Sequence, residues 1–390
     1  MPRRTELTID ESPYQYKGKK LRISKSYTSP EFGSQTILTD DVFTYVDFFF
    51  TSHKKAMKYR NSTSKAKYGS EKKYHYSFYW KQAMSFYKAA SVLPIESRPL
   101  PSYYAMLNAV KAFLSFRLPY VEDFVEDFSR HGLFEDPSAV GNDLGTIMVG
   151  RQSKGVFVLF GKTLEPNFDA LWKSGKVNTV SLKKLFYNLA FIHRAYITTY
   201  NTPRGVKVPE LFIPISTTLS PCYYKGNDSH LYLKFEIERS LFSPSSVSIP
   251  NVYMSTISSK LKVSSSGNFI LQSANGARRN SADSLSSEFR TLNSELRREF
   301  QYIRSSRRLW YLKRTGVGNN VLDFNSMLII MAAMHRISEI VRYKPEQLAH
   351  IMDSKENWLL HEFISLAMDQ FIDEIAAEIT GQEIMSTGTK

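Results

Sequence analysis

The stretch WKQAMSFYKAASVLPIESRPLPSYYAMLNAVKAFLSF, from Trp80 to Phe116, decides much of the fold. Its apolar residues recur every three or four positions on both sides of a proline-containing linker. They are Trp80, Ala83, Met84, Tyr87 and Ala90 before the linker, and Tyr103, Met106, Leu107, Val110 and Leu114 after it. This spacing predicts two amphipathic helices. Because the linker IESRPLP is short, we expect the two helices to pack as an antiparallel pair.

The C-terminal part of the chain is predicted to be helical again. FNSMLIIMAAMHRISEIV, residues 324–341, is apolar on nearly all sides, which is typical of a helix at the centre of a bundle. Pro345 cannot continue that helix and suits the first turn of a new one. A last helix, residues 357–380, is expected to end at Gly381. Tyr343 and Trp358 are expected to be large anchors at these helix boundaries, and Trp358 is predicted to lie in the core.

The middle of the chain has a different pattern. GVFVLFGKTLEPNF, VPELFIPIST and HLYLKFEIERSLF are rich in β-forming residues and bounded by Gly, Pro, Asn or Asp. We therefore predict an α+β fold, in which a helical bundle formed by both chain ends is interrupted by a mixed α/β insertion. The expected segments are a polar and basic N-terminal arm (1–75), the first bundle part (76–134), the insertion (135–319) and the second bundle part (320–390).

Composition narrows the class of protein. The chain has 390 residues, a formal net charge of +14 and a single cysteine. One cysteine excludes an intramolecular disulfide and any cysteine-based zinc cluster, and Cys222 is expected to be a small buried side chain. No long apolar run spans a membrane, and the N-terminus MPRRTELTIDESPYQYKGKK lacks the apolar core of a secretory signal, so we expect a cytoplasmic protein.

The positive charge is concentrated in one segment, His53 to Tyr76, in which tyrosines alternate with basic residues. The basic residues are Lys54, Lys55, Lys58, Arg60, Lys65, Lys67, Lys72 and Lys73. Basic side chains bind phosphates and tyrosines stack on bases, so the segment is a candidate nucleic-acid-binding surface for RNA or DNA. A solvated loop and helix end would have the same composition. The last helix carries several acidic residues and could instead bind a protein partner.

The sequence contains no complete motif for phosphate binding, metal binding or serine hydrolysis. FGKT, residues 160–163, lacks the glycine that a phosphate-binding loop needs five positions before the glycine of GKT, where Val156 stands. A strand followed by a turn is the better interpretation of that stretch. No histidine pair has the spacing of a helical metal site, and the nucleophile motif of serine hydrolases is absent. We therefore predict no metal and no cofactor.

Three stretches resemble the YaaC-like family of bacterial proteins. They are the run from Trp80 to Phe116, the following SRHGLFE, and the tail HRISEIVRYKPEQLAHIMDSKENWLLHEFI. The resemblance implies a helical core akin to HEPN-type proteins, a group that includes metal-independent ribonucleases and antiviral effectors alongside inactive binding modules. Such nucleases use an arginine followed, after four to six residues, by a histidine. No arginine in this sequence meets that spacing, and the nearest pair, Arg342 and His350, has seven residues between.

Two interpretations of the corner around Pro345 stay open. In the structural one, Arg342 bonds the free carbonyls at the end of the preceding helix. In the catalytic one, Arg342, His350 and His131 form a polar cluster assembled in space. Accordingly we carry three hypotheses: a non-catalytic protein that binds nucleic acid or a partner in defence against phage, a divergent HEPN-type ribonuclease, and a protein-interaction scaffold.

Overall fold

The structure is a computed structural model that describes residues 7–63, 75–118, 125–135, 141–175, 178–202, 205, 207–281 and 284–388. Of residues 53–63, 125 and 279–281 only the backbone is described. The chain divides into two compact units. Unit 1 consists of Met1–Leu38, Lys207–Val321 and Gly381–Lys390, and unit 2 consists of Thr39–Val206 and Leu322–Thr380.

Helices and short strands alternate along the described parts of the chain. The α-helices are α1 (Val42–Thr63), α2 (His75–Val92), α3 (Pro99–Arg117), α4 (Val125–Ser129), α5 (Val156–Leu164), α6 (Phe168–Leu171), α7 (Leu182–Tyr187), α8 (His193–Tyr200), α9 (Asn251–Met254), α10 (Ser287–Arg297), α11 (Ser326–Tyr343), α12 (Pro345–Met352) and α13 (Asn357–Thr380). The strands are β1 (Gln15–Tyr16), β2 (Lys19–Lys20), β3 (Ile37–Leu38), β4 (Leu133–Glu135), β5 (Met148–Arg151), β6 (Val180–Ser181), β7 (Phe212–Pro214), β8 (Cys222–Lys225), β9 (His230–Glu236), β10 (Leu261–Ser264), β11 (Gly267–Ser273), β12 (Ala277–Ser281), β13 (Ser284–Leu285), β14 (Phe300–Ile303), β15 (Leu309–Lys313) and β16 (Ile384–Met385).

Helix α3 lies at the centre of unit 2. It begins with Pro99, whose missing N–H costs nothing in the first turn, and it ends where Leu118 becomes extended. Ala105, Ala109 and Ala112 have no exposed surface, which lets neighbouring helices approach closely. α3 contacts α2, α5, α11 and α13, so helices from the two predicted bundle segments are in contact. The packing of α2 against α3 agrees with the predicted helix pair.

Helix α5 corrects the prediction for the FGKT stretch. The predicted strand and turn are wrong, because Val156–Leu164 is a helix in the interior of unit 2. A short apolar run is compatible with a buried helix as well as a buried strand, so its periodicity could not decide between them. Gly161 lets the helix pack against a ring: a Cβ there would lie 2.5 Å from Cζ of Phe168, a buried residue.

Unit 1 is built around antiparallel sheets. One sheet has the strand order β10-β11-β9-β12-β13, with β8 also paired to β9, and a second has the order β14-β15-β7. Phe235 of β9 and Phe300 of β14 meet edge to face with their ring centres 5.1 Å apart, inside one hydrophobic core. Residues 7–38, expected to form an arm, supply the β1-β2 hairpin and place Leu21 and Ile23 in this core.

The predicted α+β class is confirmed. The units divide the chain after residues 38, 206, 321 and 380, whereas the predicted segments end at 75, 134 and 319. Trp358 is 48% exposed, so the prediction that it lies in the core is wrong. Tyr343, expected to be an anchor, is 65% exposed. Both lie next to helix boundaries on the solvent side of their helices. In the described residues we find no helix with the length and apolar character that crossing a membrane requires.

Candidate functional site

Unit 2 contains a cavity of about 490 Å³ that brings together titratable side chains from separate parts of the sequence. We call it the His131 cavity. Its lining includes Tyr103, Arg130, His131, His335, Glu339, Arg342 and Tyr343. Tyr103 comes from α3, His335 to Tyr343 come from α11, and Arg130 and His131 lie between α4 and β4. Packing of α11 against α3 therefore creates one wall of the cavity.

His131 is held in place by the first turn of α5. The backbone N–H of Val156 donates to the carbonyl of Arg130 (2.9 Å), and that of Phe157 donates to the carbonyl of His131 (3.0 Å). Gly132 has a φ of +87°. A Cβ on Gly155 would come within 2.5 Å of Gly132, so this approach requires glycine. The same apolar segment that resembled a phosphate loop thus positions a histidine.

Three rings form the floor of the cavity. Tyr103 Oη and His131 Nδ1 are 2.7 Å apart and hydrogen-bonded, and the two rings stack with their centres 5.4 Å apart. The ring of His335 meets the Tyr103 ring edge to face at 4.9 Å and lies 5.7 Å from the His131 ring. Tyr103 and His335 are almost fully buried, whereas His131 is half-buried.

Both histidines are neutral at neutral pH. Burial, followed by the positive charges of Lys111 and Arg342, lowers the pKa of His131 below its usual value. Burial, with smaller contributions from His131 and Arg336, lowers the pKa of His335 to about 3. Burial also raises the pKa of the Tyr103 hydroxyl well above its usual value, so this group keeps its proton. A neutral imidazole can accept a proton at its unprotonated nitrogen, or donate its N–H to an oxygen of an anion that the neighbouring positive charge attracts.

Hydrogen-bonding groups of His335 and Glu339, which line the cavity, and of the neighbouring Arg336 have no partner among the described residues. Glu339 Oε2 lies 3.6 Å from His335 Nδ1 and 3.6 Å from Arg336 Nη1, too far for a hydrogen bond. Among the described residues these three buried atoms have no hydrogen-bond partner. Burial raises the pKa of Glu339, which favours its protonated form. Buried polar atoms usually have a hydrogen-bond partner, and His335 and Glu339, which line the cavity, can bond a polar group placed in it.

The mouth of the cavity is cationic and aromatic. Arg342 is exposed, and its guanidinium lies 4.7 Å from the ring centre of Tyr343. Arg342 forms no ion pair with any residue that the structure describes. Arg130 is partly neutralised by Glu126 at 2.9 Å. An exposed arginine stacked on an exposed tyrosine offers both a phosphate contact and a surface for a base.

The structure brings together two of the three predicted cluster residues. Arg342 and His131 both line the cavity, whereas His350 lies exposed on α12 and is not part of the lining. In the described structure Arg342 donates no hydrogen bond to a helix-end carbonyl, and the backbone N–H of Lys344 bonds Ile340 instead. The cap expected in the structural interpretation is therefore made by the backbone.

Sequence reasoning missed Tyr103, His335 and Glu339 as site residues. A signal was present in α11, where His335, Glu339 and Arg342 follow one another at i, i+4 and i+7 in a helix that is otherwise largely apolar. That spacing places all three on one face of the helix. Only the position of His131 and Tyr103 across from that face required the tertiary structure.

The predicted basic surface is largely outside the described side chains. Lys65, Lys67, Lys72 and Lys73 lie outside the described residues, and Lys54, Lys55, Lys58 and Arg60 lie on the part of α1 described as backbone only. On α13, three of the acidic residues considered for a protein partner are buried in unit 2: Asp373, Glu374 and Glu378. Within the described ranges no three His, Cys, Asp or Glu side chains are placed to hold a metal ion.

Comparison with known proteins gave one match. A family model described as YaaC-like Protein matches residues 43–379, which is most of the chain. Searches among curated proteins and among solved structures found no match. The matched range includes every residue named for the His131 cavity.

Proposed function

The chain belongs to the YaaC-like protein family, and we propose that it binds nucleic acid, with a phosphate group of the ligand in the His131 cavity. The observation that carries this proposal is the position of the unpaired Arg342 next to the neutral, hydrogen-bonded His131. A phosphate oxygen there would accept hydrogen bonds from the guanidinium, and from an imidazole N–H. The ligand would also supply partners for buried atoms that have none among the described residues.

The aromatic residue at the cavity mouth supports a single-stranded ligand. Tyr343 is 65% exposed, which leaves its ring accessible to an unpaired base. Stacking of a base on an aromatic ring contributes about 1–3 kcal/mol and works for any base. The basic segment from Lys54 to Lys73 adds charge for the phosphate backbone. Following the resemblance to HEPN-type antiviral effectors, we place this binding in defence against phage.

A second candidate function is metal-independent cleavage of RNA. The lowered pKa of His131 favours it, because an unprotonated imidazole can take the proton of a ribose 2′-hydroxyl as that oxygen attacks the adjacent phosphorus. The bond from phosphorus to the 5′-oxygen then breaks, and the leaving 5′-oxygen takes a proton from water. Arg342 would stabilise the charge that develops on the phosphate. The pair matches a divergent HEPN-type ribonuclease in residue types, but it joins α11 to a loop after α4 instead of lying on one helix.

Binding is tested by titrating a labelled single-stranded RNA into the protein at low salt. Arg342→Gln and Tyr343→Ala are each expected to weaken binding about tenfold, the effect of one charge-assisted contact or one stacked base. Reversal of Lys54, Lys55, Lys58 and Lys67 to Glu should abolish retention, and wild-type affinity should fall steeply with salt.

Matched controls remove the same chemistry elsewhere on unit 2. Lys88→Gln deletes an exposed charge on α2, and Trp358→Ala deletes an exposed aromatic ring on α13; neither residue lines the cavity. Both should bind like wild type. Absence of wild-type binding at low salt would contradict the function, and unchanged binding by Arg342→Gln and Tyr343→Ala would remove the cavity from it.

Cleavage is tested by incubating RNA with the protein in excess chelator. His131→Gln should lose at least a hundredfold in rate, the usual contribution of a positioned base, while it still binds RNA. A DNA strand of the same sequence lacks the 2′-hydroxyl and should stay intact. If wild-type protein binds RNA and leaves it uncut, the protein is a binding module and the second candidate is rejected.

A further inference from the structure

Unit 1 has a cavity of its own, of about 610 Å³, which the proposed function does not use. It lies between the β1-β2 hairpin, with the residues that follow it, and the segment Glu31–Thr36. We call it the Arg22 cavity. Its lining includes Lys19, Lys20, Arg22, Ser34, Gln35 and Glu383. The volume is in the range of pockets that enclose a small organic ligand.

Positive charge exceeds negative charge in this lining. Glu383 is neutralised by Arg308, which donates two hydrogen bonds of 2.8 Å to it. By contrast, the side chains of Lys19, Lys20 and Arg22 form no ion pair or hydrogen bond with the described residues. Glu31 is the remaining carboxylate among the lining residues that the structure describes. The cavity thus gathers these three cations with one acid to balance them.

Arg22 is fixed in place and incompletely bonded. Its backbone forms an antiparallel bridge with Cys222. On one side the N–H of Ile23 donates to the carbonyl of Pro221 (3.2 Å), and on the other the N–H of Tyr223 donates to the carbonyl of Leu21 (2.8 Å). Its Nε is buried and has no hydrogen-bond partner among the described residues. A buried guanidinium nitrogen without an acceptor is costly, and an anion in the cavity would supply that acceptor.

The surroundings of Cys222 are consistent with this positive charge. Burial raises the pKa of the Cys222 thiol, while Arg22, Lys20 and Arg308 act on that pKa in the opposite direction. These cations are therefore close enough to act on one buried atom. Beside them, Ser34 and Gln35 offer hydroxyl and amide groups that could bond the polar body of a ligand.

We infer that the Arg22 cavity binds a small molecule carrying a phosphate group, with Lys19, Lys20 and Arg22 around the phosphate. Arg22 contributes the directional contact, since a guanidinium matches the oxygens of a phosphate, and the lysines contribute charge. The volume of this open cavity and the polar groups beside the cations fit a phosphorylated compound of about nucleotide size. This inference is independent of the RNA or DNA binding proposed for unit 2.

The test uses the 390-residue chain and two probes, inorganic phosphate and pyrophosphate, whose binding is measured by calorimetry at low salt. Wild type should bind pyrophosphate at one site and more tightly than phosphate, because it offers more charge to the three cations. Arg22→Gln and Lys20→Gln should each raise the Kd at least tenfold. Lys262→Gln removes an exposed charge on β10, outside the cavity, and should leave the Kd unchanged.

Each outcome decides the inference. Arg22 contributes to a packed region, so Lys20→Gln, an exposed position, keeps the test valid if Arg22→Gln does not fold. Wild-type protein that binds neither probe would overturn the inference. Equal loss in Lys262→Gln would show a general charge effect and overturn it as well. Displacement of pyrophosphate by a single-stranded RNA at lower concentration than by a nucleoside diphosphate would assign the surface to a nucleic-acid backbone instead.

Discussion

At the scale of single residues, the most informative group is His335. It is a buried imidazole whose Nδ1 has no hydrogen-bond partner among the described residues, and it touches Tyr103, His131 and Glu339. A histidine that served only to fill space could be replaced by an apolar residue without the cost of burying a polar ring. Its presence on an apolar helix therefore favours a role in the His131 cavity.

The pKa of His335 predicts how stability depends on pH. In the unfolded chain this histidine takes up a proton near its ordinary pKa of about 6.5, whereas in the folded protein its pKa is about 3. Between these values the unfolded state binds more protons, so stability is complete above about pH 6.5 and falls as the pH is lowered. The contribution has a slope of up to about 1.4 kcal/mol per pH unit.

His335→Gln removes this contribution. We expect denaturant unfolding of the variant to change less steeply than that of wild type between pH 6 and pH 4, because other titrating groups are common to both proteins. Parallel curves for the two proteins would show that His335 takes up a proton equally readily in the folded and unfolded states, and would contradict a lowered pKa in the cavity.

The residues of the site were only partly predictable from the sequence. Arg342 and His131 were identified as members of a polar cluster assembled in space, and both line the cavity. His350 looked equivalent in sequence but lies exposed on α12, because the break at Pro345 starts a helix that carries it away from the cavity lining. Tyr103 could not be distinguished from ordinary core, since its hydroxyl meets His131 only through tertiary packing.

At the scale of elements, two tryptophans show what periodicity can and cannot predict. Trp80 of α2 is 1% exposed, and its Nε1 donates to the carbonyl of Phe43 at 2.9 Å. Trp358, in the first turn of α13, is half exposed and its Nε1 bonds Glu362. The apolar stripe around Trp80 identified its buried face, whereas Trp358 precedes the apolar stripe of α13.

We expect the two tryptophans to respond differently to removal. Trp80→Ala should destabilise the protein by about 3–5 kcal/mol, the usual cost of emptying a buried aromatic site. Trp358→Ala should change the free energy of unfolding by less than about 1 kcal/mol, as exposed positions usually do. Chemical denaturation of both variants measures this. A large loss in Trp358→Ala would mean that its exposed ring is covered in solution.

Helix α5 gives a second test at the level of elements. Gly161→Ala improves helix propensity by about 1 kcal/mol, but the new methyl would overlap the buried ring of Phe168. Overpacking of this kind costs about 1–3 kcal/mol, so we expect net destabilisation by thermal or denaturant unfolding. Phe168→Leu should relieve the overlap, and the double variant should be more stable than the sum of the two single effects. Additive effects would contradict the packing of α5 against α6.

At the scale of the whole molecule, the α+β class followed from the change in pattern between the ends and the middle of the chain. The assignment of segments to units did not, because residues 7–38 and 381–388 belong to unit 1 through pairings far apart in sequence. β16 pairs in parallel with β3, and Arg308 bonds Glu383. Local periodicity carries no information about such distant partners. The same holds for the His131 cavity, whose residues span positions 100–343.

Occupation of the His131 cavity by a phosphate of nucleic acid can be measured through His131 itself. The experiment is a pH titration of the histidine ring signals by NMR, without and with saturating single-stranded RNA. The chain has 8 histidines, and the spectrum of His131→Gln identifies the signal of His131. Without RNA, the pKa of His131 should be below its usual value, because of burial and of Lys111 and Arg342. With RNA, a phosphate beside the ring favours its charged form, so we predict a higher pKa for His131. RNA that binds while the signal and pKa of His131 stay unchanged would contradict a phosphate in this cavity.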